Sequence, residues 1–171
     1  MPKKPSLADA NVRSQTYYVA STRVRCSHCG LPTRLLALAM PPGHETLDTD
    51  SDADGGGEPN SDAWQAATTN AFLFHVAQLS EDVRDRLNRI SQSFRLAQGA
   101  NASHSYWANY CEHCGTQLGD YELHCEPDGA FCPSNEAAAA GIELEQVQAP
   151  FEAVTAGYAF EPEFFPFMRR G

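Results

Sequence analysis

A β-rich α+β domain with one amphipathic helix is the fold class the sequence predicts, and three observations predict it. Runs such as Tyr17 to Arg25 (YYVASTRVR) and Ala71 to Gln78 (AFLFHVAQ) are dense in the aromatic and β-branched residues that suit a pleated, half-buried surface. The segment opening at Ser80 repeats its apolar residues Val83, Leu87, Ile90 and Phe94 at three- and four-residue spacing, the period of a helix. Two near-identical cysteine pentapeptides leave 81 residues between Cys29 and Cys111, most of a domain.

The length of 171 residues suits one domain, and an apolar content of 42% with 20% charged residues suits a soluble chain with a modest core. Residues 1–15 read as a flexible lead and residues 16–171 as the single domain. Thr33 to Met40 (TRLLALAM), closed by Pro41-Pro42-Gly43, reads as a buried strand, although Leu and Ala suit a helix as well. Residues 44–62 hold seven carboxylates and no Lys or Arg, the composition of a solvated, disordered acidic loop. Ser80 is a plausible N-cap, with Arg84, Asp85, Arg86 and Arg89 falling largely on the wet side of the helix. Ser105 to Tyr110, Gln117 to His124 and Ile142 to Val147 read as further strands, and Glu126-Pro127-Asp128-Gly129 as a turn. The aromatic, Pro-broken end from Pro150 to Gly171 is expected to pack across the sheet, irregular for much of its length.

Charge and targeting signals narrow the function classes. A formal net charge of -10 opposes general binding to phosphate backbones, which needs a basic footprint. Arg13, Arg23, Arg25 and Arg34, expected near the first cysteine pair, leave a local nucleic-acid contact open. No apolar run reaches the length of a membrane span, and the first 15 residues lack the apolar stretch of a secretory signal. The expected location is therefore the cytoplasm, where thiols stay reduced and paired cysteines are more often metal ligands than disulfides.

The pentapeptides are Cys26-Ser27-His28-Cys29-Gly30 and Cys111-Glu112-His113-Cys114-Gly115. Two residues between cysteines let a tight turn aim both sulfurs at one point, and the following glycine permits the positive φ such a turn often needs. Two facing turns would supply Cys26, Cys29, Cys111 and Cys114 as four thiolates around one zinc ion. On these residues the sequence resembles a zinc ribbon, and YCEHCGTQLGDYELHCEPDGAFCP is similar to a segment of uncharacterised bacterial zinc-ribbon proteins. The resemblance implies knuckles on β-hairpins and a structural Zn2+ held by four cysteines. The chain departs from it in one respect: 81 residues between knuckles is a large insertion for a ribbon. Redox chemistry is the competing reading, since Cys-x-His-Cys also resembles the motif of some disulfide oxidoreductases. Two copies, a glycine after each and no βαβ pattern all count against it. His28 and His113 read as exposed loop-tip residues.

Weaker signals favour bland readings. Cys125 and Cys132 flank the Glu-Pro-Asp-Gly turn and read as reduced, partly buried thiols, with a disulfide or second metal as alternatives. On a strand, His124 and Cys125 would point to opposite faces and form no shared site. Asp50, Asp52, Asp54 and Gly55 open like a calcium loop, but the twelfth position is Ser61 rather than Glu. Asp120 and Glu122 would share a strand face that simply meets water. No phosphate loop, nucleophile elbow or HExxH motif occurs.

The reading is a zinc-binding protein with a closed, structural four-cysteine site, non-catalytic, serving as a protein-interaction module. Tyr106, Trp107, Tyr110, Tyr121, Phe164, Phe165 and Phe167 are candidates for a contact face. The alternatives are a nucleic-acid-associated ribbon, an acidic nucleic-acid mimic, and an enzyme using Cys125 or Cys132 with a distant histidine.

Overall fold

Each long apolar run of the sequence becomes a strand, and the strands share one sheet. The structure, a computed structural model, describes residues 10–47, 64–97, 106–119, 123–124, 129–160 and 164–170. The strands are β1 (Val12–Ser14), β2 (Tyr17–Arg25), β3 (Pro32–Met40), β4 (Glu45–Leu47), β5 (Trp64–Ala66), β6 (Ala71–Leu79), β7 (Phe94–Ala97), β8 (Tyr106–Tyr110), β9 (Gln117–Leu118), β10 (Glu143–Val147), β11 (Phe151–Phe160) and β12 (Arg169–Arg170). Among the described residues they are joined by α1 (Glu81–Ile90) and the single turn α2 (Glu136–Ala139). The order across the sheet is β12-β10-β2-β3-β6-β11-β1-β4-β5, and β7, β8 and β9 branch from it where Val76 of β6 pairs with Trp107 of β8.

Strand alternation divides the buried side chains between two cores. In the antiparallel β2–β3 pair, Val19 faces Leu38 and Ala20 faces Ala37. Tyr17, Val19, Leu36, Leu38 and Met40 therefore lie on one side, beneath Val83 and Leu87 of α1 and beside Phe94 and Trp107. Ala20, Leu35, Ala37 and Ala39 lie on the other, beneath Leu123, Phe131, Ile142, Phe165 and Met168. Because β3 is covered on both faces, its sequence is a continuous apolar run rather than an alternating one.

Several expectations are corrected here. Within the stretch read as a lead, Ala10 and Val12 are buried and β1 pairs with both β11 and β4. The start of the acidic stretch is folded as well. His44 is fully buried with Nδ1 2.6 Å from the Pro41 carbonyl, and β4 pairs with β1 and β5. Residues 48–62 of that stretch, including the calcium-loop aspartates, lie outside the described residues. The helix stops at Ile90; Phe94 joins the same core from β7, because Ser91 turns extended. Ser80 precedes the helix with extended backbone but makes no side-chain cap bond.

The strand expected from Gln117 to His124 ends at Leu118, and Leu123 and His124 form a helical turn closed by Leu123 N–H to the Gly119 carbonyl at 3.2 Å. Both side chains face the second core, which strand alternation would forbid. The C-terminal region holds the largest departure. Phe151–Phe160 is the longest strand, inserted between β6 and β1, and alternation in FEAVTAGYAF outweighs the prolines, which stand outside it at 150 and 162. No helix of the described residues is long and apolar enough to cross a membrane.

His75 carries a positive φ of 52° within β6, where both Leu73 and Val76 reach the first core although three residues apart. Phe74 turns to the other side and stacks on the His124 ring at 5.6 Å, and Phe131 stacks on the same ring at 5.2 Å. His124 Nδ1 has no hydrogen-bond partner, and burial, with the His75 imidazole nearby, pushes its pKa down to about 3. The folded state thus holds His124 neutral, whereas the unfolded chain takes up a proton near 6.5. This contribution is complete above pH 6.5 and is lost as pH falls toward 3, at about 1.4 kcal/mol per unit. We expect His124→Phe, which keeps a flat ring against Phe74 and Phe131, to flatten the pH dependence of urea unfolding between pH 6.5 and 5. Parallel slopes for the two proteins would contradict the assignment.

Candidate metal centre

The two cysteine turns form at the ends of different hairpins and are built alike. In the first, which links β2 to β3, Gly30 N–H bonds the Cys26 carbonyl at 2.8 Å and Cys26 N–H bonds the Leu31 carbonyl at 2.9 Å. In the second, which links β8 to β9, Gly115 N–H bonds the Cys111 carbonyl at 3.0 Å and Cys111 N–H bonds the Thr116 carbonyl at 2.8 Å. Gly30 and Gly115 each have φ of 74°, as the turn reading expects. His28 N–H reaches Cys26 Sγ and His113 N–H reaches Cys111 Sγ, both at 3.4 Å. A Cβ at Gly115 would meet nothing within 4 Å, so its cost is backbone strain alone. We expect Gly115→Ala to lower unfolding stability by about 1–2 kcal/mol and Gly115→Asn by less, since Asn tolerates the left-handed region. Equal losses in urea titrations would argue against that cause.

All four predicted cysteines converge. Cys26 Sγ lies 3.6 Å from Cys114 Sγ, Cys29 Sγ lies 3.6 Å from Cys111 Sγ, and all four sulfurs fall within 4.8 Å of one another. A metal with sulfur bonds of about 2.3 Å needs tetrahedral sulfurs about 3.8 Å apart, so the cluster has the dimensions of a metal site. The first cysteine of each pair is buried, at 2% and 3% exposure, and the second lies outward. Four thiols this close cannot all ionise without a counter-cation. The Thr116 hydroxyl, 3.2 Å from Cys114 Sγ, and the Thr116 backbone hold that thiol down at about 5. The backbone of Cys114 and His113 lowers Cys111. The Leu31 backbone draws Cys29 down as well, yet burial and the neighbouring sulfurs leave it raised to about 11. A bound dication would remove that opposition and favour four thiolates. With sulfur at all four positions, the shell has no place left for water or substrate.

Three side chains that motif reading passes over lock the two halves together. The Asn109 amide is 1% exposed: its Oδ1 accepts Leu36 N–H at 2.9 Å and its Nδ2 donates to the Leu36 carbonyl at 2.9 Å. It replaces the neighbouring strand that β3 lacks at that point, and it sits two residues before Cys111. Thr33, fully buried, accepts Glu112 N–H on Oγ1 at 3.0 Å. His113, read as an exposed loop-tip residue, is exposed and also has Nε2 2.9 Å from the Pro32 carbonyl, where it can donate. The available signals were a polar residue in an aromatic strand (SYWANY) and a threonine opening an apolar run.

Other predicted residues disperse. Arg13 is not near the first knuckle: it pairs with Glu45 at 3.1 Å and stacks on Trp64 at 4.1 Å, and β6 and β11 separate its strand from the β2–β3 hairpin. The described aromatics of the candidate face divide, since Trp107 belongs to the first core and Phe165 to the second. Arg95 covers Tyr110 at 4.2 Å, and Tyr106 is half-buried against the His75 ring. Phe164 packs on the second core and Phe167 is 46% exposed. Cys132 is half-buried, its N–H bonded to the Gly129 carbonyl at 2.9 Å. Cys125, Tyr121, Asp120 and Glu122 lie outside the described residues. Among the described residues, the four cysteines are the one group of three or more Cys, His, Asp or Glu placed to hold a metal. No family model matches the chain, nor does any curated protein or solved structure.

Proposed function

We propose that the protein is a zinc-dependent, non-catalytic binding module, a zinc-ribbon-like pair of knuckles whose metal holds a surface in shape for a macromolecular partner. The observation that carries this reading is the donor set: four sulfurs from two similar turns, spaced for tetrahedral coordination. Zinc fits it best, because four thiolates in a closed shell favour a tetrahedral ion without redox demands. When bound, the metal supplies cross-linking and charge neutralisation. The chain's own residues supply alignment, through Asn109, Thr33 and His113. The departure from compact ribbons falls into place physically, since the residues between the knuckles build the sheet that brings their hairpins together.

Native mass spectrometry of the full chain purified from its natural source tests the reading. We expect one zinc per chain and a retained macromolecule. A metal-free chain with mass deficits from disulfides would overturn it in favour of redox chemistry.

A further inference from the structure

The end of the β2–β3 hairpin next to the first knuckle carries a cationic surface. Register places Arg23 directly opposite Arg34 and Arg25 opposite Pro32, so all four share one side of the hairpin. Arg23 and Arg25 are exposed and Arg34 is half-exposed. Among the described residues none of the three has a carboxylate partner, unlike Arg13 on Glu45 or the Arg95 and Arg170 guanidinium groups laid over aromatic rings. Like charges directly opposite in a ladder oppose folding. Leu31, 49% exposed, and Pro32, also exposed, adjoin this end of the hairpin in the chain and offer apolar surface beside it.

Building on the binding-module reading, we propose that Arg23, Arg25 and Arg34, with Leu31 and Pro32, form a docking surface for an acidic peptide segment of a partner protein that also carries an apolar side chain. Guanidinium groups on adjacent strands form forks that take carboxylates two bonds at a time. The exposed leucine gives the segment an apolar anchor, which a phosphodiester strand would not use. Charge also separates the two occupants. The described residues hold ten of the twelve basic side chains and nine of the 22 carboxylates, so the folded framework is nearly balanced. A short peptide senses mainly the field within a Debye length of about 8 Å. A long nucleic acid meets the whole chain at -10.

The test uses zinc-loaded full-length protein and two fluorescein-labelled probes: a twelve-residue peptide of Asp, Glu and Leu, and an oligothymidylate of similar charge. Fluorescence anisotropy should detect the peptide, more weakly as salt rises. Arg23→Gln with Arg34→Gln should weaken it at least tenfold, and Leu31→Ser should weaken it at constant salt dependence. Thermal unfolding of the double variant should match or exceed that of the wild type, because a repulsion is removed. Tighter binding of the oligothymidylate, abolished by the same arginine changes, would overturn the peptide assignment in favour of nucleic acid. Peptide binding unaffected by those changes would overturn this surface while leaving the binding-module reading standing. No binding of either probe, or a double variant of lowered stability, would mean that the arginines have no docking role of this kind.

Discussion

With zinc bound as proposed, Cys111→Ser should release it and remove at least about 5 kcal/mol of stability, the largest loss expected from any single change in this chain. Cys111 is buried at 3% exposure and leads the knuckle whose two sulfurs face Cys29 and Cys26 of the other. A structural zinc contributes about 10–16 kcal/mol of apparent binding free energy in small metallo-domains, most of it coupled to folding. Whole domains are stable by only about 5–15 kcal/mol. The hydroxyl of serine is a poor zinc ligand and is left beside three thiols with no charge to balance. Urea unfolding, with metal content measured on the same samples, checks the expectation. Removal of the metal from the wild type by a chelator should reproduce the loss, and a Cys111→Ser protein that kept both metal and midpoint would refute it.

The second large effect belongs to a residue outside the motif. Asn109→Leu would leave the Leu36 N–H and carbonyl buried with neither partner, because both bonds go to one amide. Each orphaned group costs about 1–3 kcal/mol, so a loss of about 3–5 kcal/mol is expected. Asn109→Asp keeps an acceptor for the N–H but sets a carboxylate against the Leu36 carbonyl at a site 1% exposed. It should therefore be no milder. Hydrogen exchange gives a local reading: the Leu36 amide should lose protection in both variants before the amides of β11 do. A loss under about 1 kcal/mol would mean that Asn109 is incidental to the join between the knuckle arms.

Legibility in the sequence followed how local the governing physics is. The cysteine turns were readable because spacing, glycine and sulfur are all contained in five residues, and both copies have the same hydrogen bonds. β2 and β6 were readable because aromatic and β-branched residues accumulate over nine positions. The strand at Phe151–Phe160 was hidden by nearby prolines, although its own ten residues contain none. Gln117 to His124 alternates as a strand should, but Gly119 ends the pairing and a helical turn follows. The roles of Asn109, Thr33 and His113 depend on contacts across 73 to 81 residues, which no local pattern encodes. Arg13 shows the reverse failure: proximity in sequence to the first knuckle was lost when β1 paired beyond β11.

The most direct test of a structural four-sulfur zinc site is X-ray absorption at the zinc edge on the full-length protein. We expect a single shell of four sulfurs at about 2.3 Å, with no nitrogen or oxygen neighbour and no change when exogenous ligands are added. A shell with three or fewer sulfurs and an exchangeable light atom would contradict the closed site and place an open, catalysis-competent metal in this fold.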